Sequence, residues 1–266
     1  MIAPAAPPLR HFVLPGVIGL AVAAGAVVWM TRGPGPDLSL LPEMQAVTVA
    51  PLPFDVRGYR DPGAAPGTAR DLWVQRDEVS VTEWNACHAD DACDFALPAR
   101  PGMDPSATPA TGLSQPDAER FVIWISARTG HPFRLPDLSE WHAFAAPVLP
   151  ETSDPIFDDP DLDWASAYLM EEGRSRALRP AGSFSTSPEG IRDLDGTVWE
   201  WTRDCYAGSA GQVDPSHCPA YFVGGEHIAA IPYLERDPAR GGCAVGTPPA
   251  HLGFRLVSDR RPPARD

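Results

Sequence analysis

The chain has 266 residues, 44% of them hydrophobic, enough for one sizeable core, and its 32 prolines and 23 glycines argue for long irregular connections. All 21 basic residues are arginine, which excludes lysine Schiff-base chemistry and a lysine-bearing phosphate loop. Every one of the 35 acidic residues lies beyond residue 32, so the body of the protein is acidic, unsuited to a nucleic-acid backbone and suited to a cation, a basic protein partner or simple solubility.

In chain order, a short tail (1–11) precedes an uncharged run, Phe12 to Met30, between Arg10 and Arg32. It is long enough to span a bilayer as one helix. A cleaved signal peptide is the competing reading, because Ala21-Val22-Ala23 and Ala24-Gly25-Ala26 resemble processing sites. Apolar residues continue through Val27, Val28, Trp29 and Met30, and Trp29 suits an interfacial anchor, which favours a retained span. Residues 31–43 read as a Pro/Gly linker. Cys87 and Cys93 lie close in sequence, as do Cys205 and Cys218, each pair among Asp, Gly and Pro. As disulfides they indicate an oxidising compartment such as a periplasm; the alternative is a set of free cytosolic thiols. Cys243 is left over. The expectation is a single-pass protein of a bacterial inner membrane with its main domain in the periplasm.

Met44 to Val49 reads as a strand, followed by a Pro/Gly-rich excursion to Arg70. Leu72-Trp73-Val74 and Glu78-Val79-Ser80-Val81 suggest another strand, after which Thr82 caps a short helix carrying Trp84 and Cys87. Gly102 to Gly112 reads as loop. Ser114 and Pro116 open a helix over Asp117 to Thr129, with Phe121, Trp124, Ile125 and Arg128 at helical spacing and Gly130 as the stop. A second helix starts at Asp137, with Glu140 three residues on and Leu138, Trp141 and Ala145 on one face. The acidic, Pro-containing stretch beyond Pro147 to Asp163 reads as loop. Farther on, Asp193-Leu194-Asp195-Gly196-Thr197-Val198-Trp199-Glu200-Trp201 forces a carboxylate between two indoles directly after a turn signal. Such a carboxylate either faces solvent or is buried and needs a partner.

Six features occur in an order that resembles formylglycine-generating-enzyme-like (sulfatase-modifying factor) domains. They are Glu78-Val79-Ser80-Val81-Thr82-Glu83-Trp84, the helix from Asp117, Arg134-Leu135-Pro136 with Glu140-Trp141, Gly196-Thr197-Val198-Trp199-Glu200-Trp201, Gly224-Gly225 and Gly253-Phe254-Arg255. The resemblance covers residues 44–258 and leaves 259–266 as a tail. It implies an α+β, loop-rich variant of the C-type-lectin-like fold, and the two cysteine pairs also resemble pairs in a bacterial subset of the family.

Family members include a copper-dependent oxidase acting on a sulfatase cysteine, iron-dependent sulfur-chemistry enzymes and many members without known activity. The oxidase binds copper through two cysteines that follow an Arg-Gly-Gly-Ser-aromatic run. Counted from Gly224-Gly225, those positions hold Ala229 and Leu234, which supply none of the soft thiolate that Cu(I) requires, so copper is not expected. The run itself is altered, with Val223, Glu226 and His227 in place of the Arg, the Ser and the aromatic residue. No histidine cluster of the iron-enzyme type occurs; His217, Glu226, His227 and His251 could assemble around zinc or iron, or serve as ordinary hydrogen-bonding and surface residues. For calcium, the resemblance implies ligands at Asp195, Gly196, Val198 and Glu200, although Thr197 replaces the family's Asn, while a second calcium site lacks its Asn at Ser166-Ala167-Tyr168. The competing reading pairs Glu200 with Arg203 or Arg255.

The resulting expectation is a membrane-anchored, non-catalytic binding or accessory module, a subunit or assembly factor of a membrane-bound, respiratory-type enzyme complex. The alternative is a maturation enzyme or oxidoreductase with a replaced metal site near Glu226 and His227. A third reading is carbohydrate or peptide binding in the family's substrate groove.

Overall fold

The helices begin where short-range hydrogen bonding can satisfy their first backbone amides. In the computed structural model, which describes residues 35–50, 69–149, 176–206, 218–226, 228–238 and 249–264, α1 spans Val81–Ala89, α2 Gln115–Thr129 and α3 Leu138–Ala145. In each, the carboxylate at the third helical position reaches back to the amide of the capping residue: Glu83 to Ser80 at 2.7 Å, Asp117 to Ser114 at 2.8 Å and Glu140 to Asp137 at 2.7 Å. Gly130, at φ 65°, ends α2 in the left-handed region that a residue without a Cβ enters freely.

The first helix corrects the sequence reading. Ser80, rather than Thr82, is the cap, and Val81 is already helical. Only Ser80 has a carboxylate three residues on, so only there do the two reciprocal bonds form: Glu83 N–H also donates to Ser80 Oγ at 3.2 Å. The predicted strand through Val81 accordingly stops at Gln75, and Val79 is held from outside the strand by a bond from its N–H to Phe254 O at 3.0 Å.

Among the described residues the strands are β1 (Met44–Val49), β2 (Arg70–Gln75), β3 (Val198–Cys205), β4 (Ala220–Gly224), β5 (Ala229–Pro232), β6 (His251–Gly253) and β7 (Val257–Ser258). They make a three-stranded sheet in the order β1-β2-β7 and a four-stranded sheet in the order β5-β4-β3-β6, antiparallel except for the β3–β6 pair. The architecture is thus mixed α/β with few helices and extensive irregular chain. All these elements belong to the compact unit Leu38–Asp266. No helix among the described residues is long and apolar enough to cross a membrane, and the proposed span Phe12–Met30 lies outside them, as do the chain around residues 51–68, the acidic stretch from residue 150, Ser166-Ala167-Tyr168, His217, His227 and Cys243.

The central strand β3 is buried from Val198 to Thr202 because apolar clusters cover both of its faces. On one side Trp199 and Trp201 join Trp84, Phe121, Trp124 and Phe254; the rings of Trp84 and Phe121 stack at 6.1 Å, and Phe254 meets Phe121 edge-on at 5.4 Å. On the other side Trp141 packs with Leu72, Val74, Phe144, Ile191, Leu194 and Val257. Gly224 and Gly225 are where the two indoles come closest to backbone. A Cβ on Gly224 would come within 2.2 Å of the Trp141 ring, and one on Gly225 within 2.4 Å of the Trp199 ring, both far inside van der Waals contact.

Gly225→Ala therefore forces Trp199 out of its seat and is expected to lower stability by about 1–3 kcal/mol, the usual cost of overpacking a filled core. Gly35→Ala, where nothing lies within 4 Å of the added methyl, is the control and stays within about 0.5 kcal/mol. Denaturant unfolding of the two variants checks the contrast.

Candidate functional site

Glu200 sits on β3 between two strands that present glycine to it, Gly224 on β4 and Gly253 on β6. Its side chain is fully buried, and so is that of Arg255. Arg255 Nε donates to Glu200 Oε2 and Nη2 to Oε1, both at 2.6 Å, while Trp141 Nε1 donates to Oε2 at 2.9 Å. The remaining guanidinium hydrogens go to backbone carbonyls: Nη1 to Gln75 and Arg76 at 3.1 Å, Nη2 to Arg192 at 3.0 Å. All five donors of the guanidinium are used. Burial by itself disfavours the charged arginine, but Glu200 outweighs it and holds its pKa above the ordinary range.

This geometry decides between the two partners the sequence offered Glu200. Both carboxylate oxygens are consumed by Arg255 and Trp141, so Glu200 does not fit the role of a calcium ligand. Arg203 is engaged elsewhere, with Asp137. Val198, the other deep member of the proposed calcium set, is buried on β3 opposite His251.

Asp195 and Gly196 stand apart from that pair. Asp193, at φ 63°, turns the chain and accepts the amides of Gly182 and Phe184, while Asp195 accepts Ser185 N–H at 3.0 Å and Ser185 Oγ–H at 2.6 Å. The Gly196 amide closes the turn onto Asp193 O at 2.9 Å. This folded segment forms one wall of a cleft of about 340 Å³. Asp195 and Glu226 supply carboxylates to it, Arg176 and Arg179 guanidinium groups, and Phe184 and Trp199 aromatic surface. Of the sequence-predicted site residues, Asp195, Gly196 and Glu226 are thus brought together, and Glu200 and Val198 are not. A cleft with both charge signs beside aromatic rings can hold a polar or peptide ligand in a fixed orientation.

The two positions that carry copper ligands in the oxidase are separated in environment as well as lacking thiols. Ala229 is 1% exposed on β5, opposite Val223, whereas Leu234 is 63% exposed in the turn beyond that strand. Among the described residues no three His, Cys, Asp or Glu side chains are grouped as metal ligands would be, and the His251 ring is hydrogen-bonded through Nε2 with Arg176 O at 3.1 Å. Both cysteine pairs are joined: Cys87–Cys93 with Cα atoms 5.4 Å apart and Cys205–Cys218 with Cα atoms 5.8 Å apart.

Glu78 is a further residue of chemical interest, visible in the sequence only as the first member of the Glu78-Val79-Ser80-Val81 run. It is 3% exposed, and its Oε2 has no hydrogen-bond partner. Burial pushes its pKa up to about 8; Arg255 opposes that rise, while Glu200 and Asp193 add to it. An acid opening an otherwise apolar Val-Ser-Val run was the available signal.

The profile of the sulfatase-modifying factor enzyme 1-like domain matches residues 41–260, and the chain belongs to that family. It is 27% identical over 187 residues to the formylglycine-generating enzyme of Mycobacterium tuberculosis (strain ATCC 25618 / H37Rv), a match that takes in 59% of this chain and 59% of that enzyme's length. Among solved structures, that of CarF is 17% identical with a TM-score of 0.50, covering 85% of this chain and all of CarF, a likeness of fold alone. PvdO from Pseudomonas aeruginosa is 18% identical with a TM-score of 0.46, over 85% of this chain and 99% of PvdO.

Glu78 gives a pH signature of defined sign. Its folded pKa of about 8 lies above the ordinary 4.5, so its contribution to stability is complete below about pH 4.5 and is lost as pH rises through 8. Glu78→Gln, which keeps the neutral shape, is expected to melt above the parent at pH 8.5, with the gap closing toward pH 4.5. Thermal melts across that range test it; a gap that is constant with pH contradicts the assignment.

Proposed function

We propose that this chain is a non-catalytic binding or accessory module of the periplasm, held at the inner membrane by residues 12–30 and docked to a membrane-bound enzyme complex of the respiratory type, as a subunit or assembly factor. In this reading the domain is a loop-rich variant of the C-type-lectin-like fold. The observation that carries it is the pair Ala229 and Leu234, one sealed in β5 and the other on the surface, at the positions where the family's oxidase holds copper. Neither side chain offers a donor to a soft metal, so the residues present do not fit copper and no redox step is routed through that place.

Two further features support the reading. The disulfides Cys87–Cys93 and Cys205–Cys218 suit an oxidising compartment. The cleft beside Phe184 and Trp199 carries charged groups of both signs and no described thiol, which suits recognition of a polypeptide segment more than chemistry on it. A second reading, a maturation enzyme or oxidoreductase with a substituted metal site, draws on Glu226, which lines the same cleft and stands where the family's oxidase has Ser.

The chain extracted in mild detergent from its own membranes is expected to retain no copper after incubation with Cu(I), to leave a cysteine-containing sulfatase peptide unoxidised, and to migrate with a membrane-protein partner. Stoichiometric copper with aldehyde formed on the peptide would overturn the proposal. A tightly held transition metal that is lost in Glu226→Ala would favour the second reading instead.

A further inference from the structure

A second cleft, of about 310 Å³, opens between the β2–α1 connection, the segment Ser106–Pro109 and the approach to β1. Four carboxylates line it, from Glu43, Asp77, Glu78 and Glu83, against a single basic side chain, Arg76. Three of the four are already partnered. Glu43 pairs with Arg76. Asp77 accepts Arg192 Nε at 2.5 Å and Nη2 at 2.6 Å together with Arg76 Nε at 3.1 Å. Glu83 Oε2 accepts the amide and hydroxyl of Ser80, both at 2.7 Å. Glu78 is the exception: it is the most deeply buried of the four, and its Oε2 has no donor. A buried oxygen without a donor costs about 1–3 kcal/mol, a cost that a ligand carrying N–H groups would remove.

We propose that this cleft is a binding site for an organic cation, an ammonium or guanidinium group, with Glu78 as the acceptor at its floor. The charge of the lining selects a cation, and the protein's net charge of −14 concentrates cations near its surface. An organic group is favoured over a metal ion because the described carboxylates do not converge as metal ligands do. The groups facing Glu78 are Arg255 from the segment after β6, Glu200 from β3 and Asp193 from the turn before β3. Burial favours the protonated carboxyl of Glu78; Arg255 opposes this, and Glu200 and Asp193 add to it. On binding, the carboxyl proton leaves to solvent and the carboxylate accepts N–H from the cation, one charge being exchanged for another. The site is separate from Ala229 and Leu234, so it stands or falls independently of the proposed lack of catalysis.

The test is titration calorimetry on the full chain in detergent, with agmatine and with the tripeptide Gly-Arg-Gly as probes, in two buffers of different ionisation enthalpy. Binding is expected to release close to one proton at about pH 6.5, and affinity to rise about tenfold per pH unit below pH 8. Glu78→Gln is expected to weaken binding at least tenfold and to abolish the proton release, with its melting point unchanged or raised. Equal binding of both probes shows that the cationic group they share suffices, tighter binding of agmatine points to a free small cation as the natural ligand, and tighter binding of the peptide points to an arginine side chain of a partner; each supports the site. Failure of both probes to bind, or undiminished binding to Glu78→Gln, would overturn it. So would calcium binding that competes with agmatine and is lost in the variant, because that would make the site a metal site.

Discussion

The buried pair between Arg255 and Glu200 is the interaction on which the rest of the structure depends. Through one guanidinium it ties the end of β2, the turn before β3, β3 itself and, by way of the shared carboxylate, Trp141 of α3. The end of β2, α3 and β3 with its preceding turn lie far from one another in the chain. A buried ion pair contributes little net stability over an apolar replacement of the same shape, because desolvation offsets the Coulomb gain. What it enforces here is placement: an arginine with five donors, sealed from water, is satisfied only when all four acceptor groups are in position. The pair is best understood as a specificity device that fixes how the two sheets and α3 meet.

That placement decides where recognition chemistry can occur. With Glu200 committed to the interior, the turn that precedes it is left to shape the surface, and Asp195 and Gly196 form part of a cleft wall. Trp199 serves both sides of this division, packing under Gly225 while lining the cleft. The Gly224-Gly225 pair, which in the family's oxidase leads into the catalytic run, here has a packing explanation that needs no chemistry. The buried pair also acts on Glu78 in the second cleft, where burial raises its pKa, Arg255 opposes the rise and Glu200 adds to it.

Local features were legible in the sequence because local bonds make them. The strand Met44–Val49 and the capping box at Asp137 stand where the sequence places them, and Gly130 ends its helix as expected; Ser114 opens α2, whose first turn begins at Gln115 rather than Asp117, and its reciprocal bonds with Asp117 were not read from the sequence. The error at Thr82 arose where a strand-like Val-Ser-Val pattern competed with the Ser80–Glu83 capping box, and the box prevailed through its two reciprocal bonds. For Glu200 the sequence leaves open a calcium ion or an arginine, Arg203 or Arg255, since choosing among them requires contacts 55 residues apart. Glu78 was missed for the same reason: its environment is assembled by β3, the Asp193 turn and the segment after β6, none of them near it in sequence. The meeting of Asp195 with Glu226 in one cleft likewise follows from tertiary packing alone.

If the Trp-Glu-Trp segment is a structural hub, its charge must act through Arg255. A double-mutant cycle with Glu200→Leu and Arg255→Met, read by denaturant unfolding of the chain, measures this directly. Each single change is expected to cost about 3–5 kcal/mol by stranding a buried charge, and the double variant to fall short of their sum by about 2 kcal/mol or more. Additivity within about 0.5 kcal/mol would contradict the account, because it would mean that the two side chains stabilise the fold independently.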